Sequence, residues 1–339
     1  MAQKHIGSQT IKFSNPPSII AGAAIVGPKE GQGPLGKSFD IVIEEEAWGE
    51  KTWEKAETKL VKEAFGKVVQ KAQLTNDKIQ YVFGGDLLNQ CIAATYGLRE
   101  TNVPFFGLFG ACSTMAESMS LGGIIIDGGF ADNVVCMTSS HFCSAEKQFR
   151  FPLELGTQRA PTSQWTVTGS GAVVLAAQGT GPYITHVTTG KIVDLGICDA
   201  NNMGAAMAPA AAETIFAHFA DTGLPQDYYD LIVTGDLGLY GKQICQEMLK
   251  MNDLDIASSY NDCGVMMFDT KKQDKHAGGS GCGCSATVFA GYIYNELMKG
   301  NLNRVLFVAT GALMSPVSTQ QSESIPSIAH AVAIHKTLN

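Results

Sequence analysis

Tyr81-Val82-Phe83-Gly84-Gly85-Asp86-Leu87 returns later in the chain as Leu231-Ile232-Val233-Thr234-Gly235-Asp236-Leu237. Each copy is a short apolar run closed by Gly-Asp, the pattern of a buried parallel strand that ends in a sharp turn. Two more pairs occur in the same order. Gly110-Ala111-Cys112-Ser113 occupies the slot of Gly281-Cys282-Gly283-Cys284, and Gly129-Phe130-Ala131-Asp132-Asn133-Val134-Val135 that of Gly300-Asn301-Leu302-Asn303-Arg304-Val305-Leu306. Three matches in one order point to an internal duplication, with a period too long for a solenoid.

Outward from these anchors, the first half (1–178) carries strand signals at 19–24, 79–84, 105–109, 134–138 and 172–176. The second half (179–339) carries them at 183–187, 231–234, 305–309 and 328–334. Helical periodicity lies between, at 52–74, 87–99, 114–127, 209–221, 241–251 and 286–299. It is clearest at 52–74, where Trp53, Ala56, Leu60, Ala64 and Val68 share one face. Strands alternating with helices define an α/β protein. Two alike halves pack about a pseudo-twofold axis, and their Gly-rich strand ends converge on a shared cleft, where open α/β sheets bind ligands.

Composition narrows the function. The 339 residues are 45% hydrophobic and 17% charged, enough apolar material for a large core. A net charge of −8 with no basic stripe argues against nucleic acid and against general adhesion to anionic membranes. The first thirteen residues carry Lys4, His5 and Lys12 without an apolar core, so no signal peptide is expected. The apolar stretches 18–26 and 124–126 are too short to span a bilayer. Nine cysteines, an odd number without a paired framework, favour reduced thiols in a cytosol-like compartment. Cys282-Gly283-Cys284 lacks a second ligand pair at zinc spacing, so no metal site is expected. Cys91, Cys136, Cys198, Cys245 and Cys263 read as structural.

Cys112 follows an apolar strand and opens a helix through Ser113 and Thr114. A thiol there feels the positive end of the helix dipole, which lowers its pKa and favours the thiolate. The competing reading is a small buried hydrophobe. The duplication places this turn at the seam between the halves and favours a site residue.

Gly110-Ala111-Cys112-Ser113, Thr168-Gly169-Ser170-Gly171-Ala172-Val173-Val174-Leu175 and Val308-Ala309-Thr310-Gly311-Ala312 together resemble thiolases and ketoacyl synthases over nearly the whole chain. The resemblance implies a duplicated βαβαβαββ fold layered α-β-α-β-α with two mixed sheets. It also implies an acylated cysteine assisted by two residues of the second half, two histidines or a histidine and an asparagine. This chain has Asp236 and Cys282 at those places. A carboxylate donates to an oxyanion only when protonated, and a thiol donates weakly. The expectation is therefore a scaffold without catalytic residues that binds rather than condenses. The alternative is a Cys112-dependent acyltransferase with His141 or His276 recruited as base.

Further strings resemble the stage V sporulation protein AD family of endospore-forming bacteria. They are Gly27-Pro28-Lys29-Glu30, Gly33-Pro34-Leu35-Gly36, Gly85-Asp86-Leu87-Leu88-Asn89-Gln90, Thr138-Ser139-Ser140-His141, Met207-Ala208-Pro209-Ala210-Ala211-Ala212 and Gly278 to Ala286. This resemblance implies binding of dipicolinic acid (pyridine-2,6-dicarboxylate), free or with calcium, and a part in its uptake into the developing spore. It implies peripheral association with the inner spore membrane through companion channel proteins; no cofactor is expected.

A flat dianion needs a slot and donors for two carboxylates. The candidates are Cys112, Ser113 and Thr114 at the helix start, Ser139, Ser140 and His141 past a strand end, Arg150, and Asp236, Cys282 and Cys284 from the second half. Lys147 and Arg159 read as solvated loop cations. Asp86 and Asp236 read first as helix caps, or, if they face the ligand, as partners of calcium or of a protonated carboxyl. Thiolase relatives pair edge to edge through the strand before the cysteine, here 103–108, so a homodimer is expected.

Overall fold

Five strands from each half carry the fold of this computed structural model, which describes residues 3–149 and 159–338. The first half contributes β1 (Ser18–Val26), β2 (Tyr81–Gly85), β3 (Phe105–Gly107), β4 (Asn133–Ser140) and β5 (Gly169–Ala176). The second contributes β6 (Tyr183–Thr189), β7 (Leu231–Thr234), β8 (Tyr260–Asp262), β9 (Arg304–Ala312) and β10 (Ser327–His335). Their spatial orders are β3-β2-β4-β5-β1 and β8-β7-β9-β10-β6, the same order twice. Parallel and antiparallel pairings also repeat, with β2 parallel to β3 and β4 as β7 is to β8 and β9. One pairing, Tyr183 with Ser18, joins the two mixed sheets.

The helices are α1 (Trp53–Lys71), α2 (Ile92–Leu98), α3 (Thr114–Asp127), α4 (Phe142–Phe149), α5 (Met203–Thr222), α6 (Gly238–Lys250) and α7 (Cys282–Val288). A π-helical turn, Phe289–Ile293, carries α7 on into Tyr294–Lys299. The layering follows from which faces are apolar. Ala56, Leu60, Ala64, Phe65 and Val68 bury one face of α1 against the first sheet, and Thr52 caps its start by accepting from the Lys55 N–H at 3.3 Å. On the outer side of the second sheet, α5 and α6 bury Met207, Ile215, Phe219 and Leu249. Between the sheets lie α3 and α7, apolar all round, with Met115, Met119, Val288, Phe289 and Phe307 in one core. Five layers result.

Three departures from the sequence-based expectations have local causes. Strand β8 is short and polar and gains its identity from pairing with β7. Helix α5 starts at Met203 rather than 209, since Pro209 lies inside it, where the buried small residues on both sides hold the turn. Helix α4 lies where the sequence pattern shows no helix; tertiary contacts fix it, including the Ser144 hydroxyl donating to Glu57 at 2.6 Å. Cys198, expected to be structural, is exposed, whereas Cys91, Cys136, Cys245 and Cys263 are buried. Among the described residues no helix is long and apolar enough to cross a membrane.

Candidate functional site

The cysteine turn is a short 3-10 segment, Ala111–Ser113, leading into α3. Ala111 sits at φ +52, a left-handed value unusual for a residue with a Cβ. This bend is held by local bonds. The Ser113 hydroxyl donates to the Gly110 carbonyl and the Thr114 hydroxyl to the Ala111 carbonyl, each at 2.6 Å. Across the seam, Gly311 of β9 comes so close that a Cβ there would lie 2.5 Å from the Gly110 carbonyl oxygen. That is why Gly follows Thr310. The matching turn of the second half starts at Gly281, φ +96, where a Cβ would meet the Ser140 hydroxyl.

Cys112 is buried, and its neighbours are Cys282 and Asp236, each within hydrogen-bonding reach of its thiol. Asp236 is fully buried. It accepts from the Thr310 hydroxyl at 2.8 Å, the Ser280 hydroxyl at 3.0 Å and the Gly281 N–H at 2.9 Å. Cys282 donates to the Ala111 carbonyl at 3.0 Å, and Cys284 to the Gly235 carbonyl at 3.5 Å on the far side of its helix. The electrostatic consequence reverses the expected one. The hydrogen bond with Cys282, burial and the Asp236 carboxylate together push the Cys112 thiol well above its ordinary range. A thiolate beside a buried carboxylate is penalised twice, by desolvation and by like charge. Asp236 is itself raised by burial, while its four donors pull the other way.

A cavity of about 370 Å³ opens in front of Cys112, within the usual size of a small-molecule site. Its walls are mainly apolar, with Leu87, Phe109, Phe149, Met203, Leu313 and Met314. Its polar points are Cys112, Thr166, Ser280, Ser315, Ser318 and Glu146. Among the described residues no Lys, Arg or His lines it.

Of the residues singled out in the sequence, Cys112 lines the cavity, and Asp236 and Cys282 stand directly behind it. Ser113 and Thr114 spend their hydroxyls on the turn itself. Ser139 donates to Glu57 at 3.1 Å on the outer side of the sheet. Ser140 donates to the Val167 carbonyl at 2.6 Å and accepts from the Gly283 N–H at 3.0 Å, a strut between the halves. His141 accepts at Nδ1 from the Cys143 N–H, so its Nε2–H donates to the Glu46 carbonyl at 2.8 Å; burial lowers its pKa. Neither it nor His276, bound to the Ala160 carbonyl, reaches the cavity. Arg150 lies outside the described residues. Lys147 pairs with Glu54 at 2.6 Å. Asp86 caps locally as expected, accepting from the Leu88 and Ala94 N–H groups at 2.8 Å each. Asp236 does not cap α6: Asp262, at the end of β8, takes the Leu237 and Gly238 N–H groups at 2.8 and 3.0 Å and frees Asp236 to face the seam.

Sequence reasoning missed the apolar wall. Ala312 to Met314 past the end of β9, and Ala145 with Phe149 on α4, give only short apolar signals, although the internal repeat does mark the end of β9 as a seam position.

A duplicated, five-layered α/β fold with its cysteine turn facing the equivalent turn of the second half defines the thiolase-like class. Solved structures agree: 3-oxoacyl-(acyl-carrier-protein) synthase III from Aquifex aeolicus VF5 matches with a TM-score of 0.59 and 13% identity, covering 94% of this chain and 99% of that one. The OleA E117A structure from Xanthomonas campestris matches at 0.58 and 15% identity, covering 95% and 99%. At the level of sequence, the family model of Stage V sporulation protein AD (SpoVAD) matches residues 7–335, and the chain belongs to that family. The Stage V sporulation protein AD of Bacillus subtilis (strain 168) is 46% identical over 333 residues, 98% of each chain.

Proposed function

We propose that this sporulation-family protein binds dipicolinic acid in the seam cavity and takes part in its uptake into the developing spore, on a thiolase scaffold that recognises rather than transfers acyl groups. The observation that carries the non-catalytic half of this reading is the burial of Cys112 against Cys282 and Asp236. It keeps the thiol protonated where acyl transfer needs a thiolate, and it puts a carboxylate where a carbonyl oxyanion would need a donor. The ligand follows from family membership and from the cavity. A flat ring fits between apolar walls, with Thr166, Ser280, Ser315 and Ser318 offering hydroxyls at the rim. A lining without a cation among the described residues favours the neutral one-to-one calcium chelate over the bare dianion. The open edge at β3, with Phe106, Phe109, Ile92 and Tyr96 exposed beside it, supports pairing into a homodimer. Association with companion proteins at the inner spore membrane belongs to the same reading.

Calorimetry with dipicolinate, with and without equimolar calcium, tests the proposal, with light scattering on the same sample for the dimer. Saturable binding, tighter with calcium and weakened by Ser280→Leu, is expected from a dimeric mass. No heat at millimolar ligand, or a monomeric mass, overturns the corresponding part. An acyl adduct on Cys112 after incubation with acyl-CoA would overturn the non-catalytic reading.

A further inference from the structure

Behind the two-residue ribbon that pairs Trp165-Thr166 with Gly279-Ser280, the molecule gathers charge that the seam cavity lacks. Thr166 and Ser280 face the cavity, and Trp165 belongs to a separate cluster. Phe142 stacks on Trp165 with ring centroids 3.6 Å apart and planes 3° from parallel. Three cations surround the indole. The Lys275 Nζ lies 3.3 Å from its centroid, the Lys29 Nζ 4.1 Å and the Arg159 guanidinium carbon 4.6 Å.

Lys29 reaches Glu46 at 3.8 Å, and Arg159 donates to the Asp274 carbonyl at 2.8 Å. Lys275 is only 7% exposed, and among the described residues its ammonium has no hydrogen-bond acceptor and no carboxylate at ion-pair distance. Cation–π attraction gives its three N–H donors no acceptor atom from the described residues. The buried Trp165 Nε1–H also has no acceptor among the described residues. Glu30, fully buried nearby, is raised by burial to about 8 and so stays protonated at neutral pH, offering Lys275 no counter-charge. Like charge from Lys29 and Arg159 adds to burial in lowering Lys275 to about 8, while Glu30 and Asp274 act in the opposite sense.

We propose that Lys275, Trp165, Lys29 and Arg159 form a second binding site, for a small oxyanion bearing two negative charges, a phosphate or a dicarboxylate, set back to back with the seam cavity. An oxyanion supplies acceptors to the Lys275 ammonium and the Trp165 N–H and offsets the repulsion between Lys275 and Lys29. Lys29 and Arg159, at its margin, are both partly exposed. It does not depend on any ligand binding at the seam.

Titration of the intact protein with inorganic phosphate and, in a parallel arm, with dipicolinate, read by tryptophan fluorescence and calorimetry, tests this assignment. Saturable binding of at least one of the two is expected, with affinity reduced about tenfold or more by Lys275→Met and less by Lys29→Met. Cys112→Ala should leave it unchanged, which separates this site from the seam. Affinity should fall as pH rises through about 8, where Lys275 loses its charge and Glu30 gains one. Thermal melts confirm that the variants fold, and the milder Lys29→Met keeps the test usable if Lys275→Met does not. Absence of saturable binding in both arms, or binding indifferent to both lysine variants, overturns the proposal. Tighter phosphate than dipicolinate binding assigns the site to a phosphorylated ligand, the reverse order to a dicarboxylate.

Discussion

Asp86 and Asp236 end equivalent strands of the two halves, follow a glycine in both, and do different things. Asp86 turns back on its own half and holds the Leu88 and Ala94 amides. Asp236 turns across the seam and gathers Ser280, Gly281, Thr310 and the Cys112 thiol. The difference arises at the sheet edge. In the second half Asp262 takes over the capping, accepting also from the Thr234 hydroxyl at 2.7 Å and the Val265 N–H at 3.2 Å. A duplicated backbone thus repeats a residue's position without repeating its partner.

The largest expected effect breaks this pair directly. Asp236→Ala leaves four buried donors without an acceptor, and Asp86→Ala leaves two. The costs should be about 3 kcal/mol or more and about 2 kcal/mol in urea unfolding. Equal costs, or the reverse order, would show that the seam carboxylate is not the more deeply engaged one.

A second contrast between the halves is set by pH. His186, His218, His330 and His335 all lie in the second half, and burial lowers them to about 4, 3, 4 and 4. They are neutral in the folded protein and take up protons on unfolding below pH 6.5, so their contribution is lost as pH falls from 6.5 toward 4. At pH 5 the loss is about 2 kcal/mol for each of the well-buried His218 and His330. In the first half, Glu30 and Glu57 are raised by burial to about 8 and Asp86 to about 6. Their contribution runs the other way: it is present below the ordinary carboxylate range and lost as pH rises toward 8. His141 in the first half and Asp262, at about 7, in the second blunt the contrast without reversing it. Hydrogen exchange, corrected for intrinsic rates, should open β10 before β4 at pH 5 and β4 before β10 at pH 9. Uniform opening at both would remove the asymmetry.

Much of the fold is legible in the sequence because duplication is a long-range signal. Three matched strings locate equivalent strands and set the turn Gly281-Cys282-Gly283-Cys284 against that of Cys112, while the resemblance to thiolases and synthases picks out Asp236 and Cys282. Hydroxyl groups are harder to place. Ser113, Thr114, Ser139 and Ser140 are the right chemistry at the right elements, yet the first two are committed to carbonyls of their own turn and the last two to Glu57 and the Val167 carbonyl, neighbours distant in the chain. The sign of the Cys112 shift escapes a local reading for a similar reason. A helix start is visible locally, but the Cys282 hydrogen bond, the burial and the carboxylate that outweigh it are set by the other half. The Trp165 cluster draws Lys29, Phe142, Arg159 and Lys275 from four separate segments and has no local signature.

Recognition at the seam rests on Cys112 being held there as a thiol. Alkylation of Cys112 by iodoacetamide across pH 6 to 10, read by peptide mass, tests this most directly. The rate should still be climbing beyond pH 9, the ordinary thiol value, with no plateau. A plateau reached at or below pH 8 would mean that Cys112 is a ready thiolate, and the recognition account of the seam would be wrong.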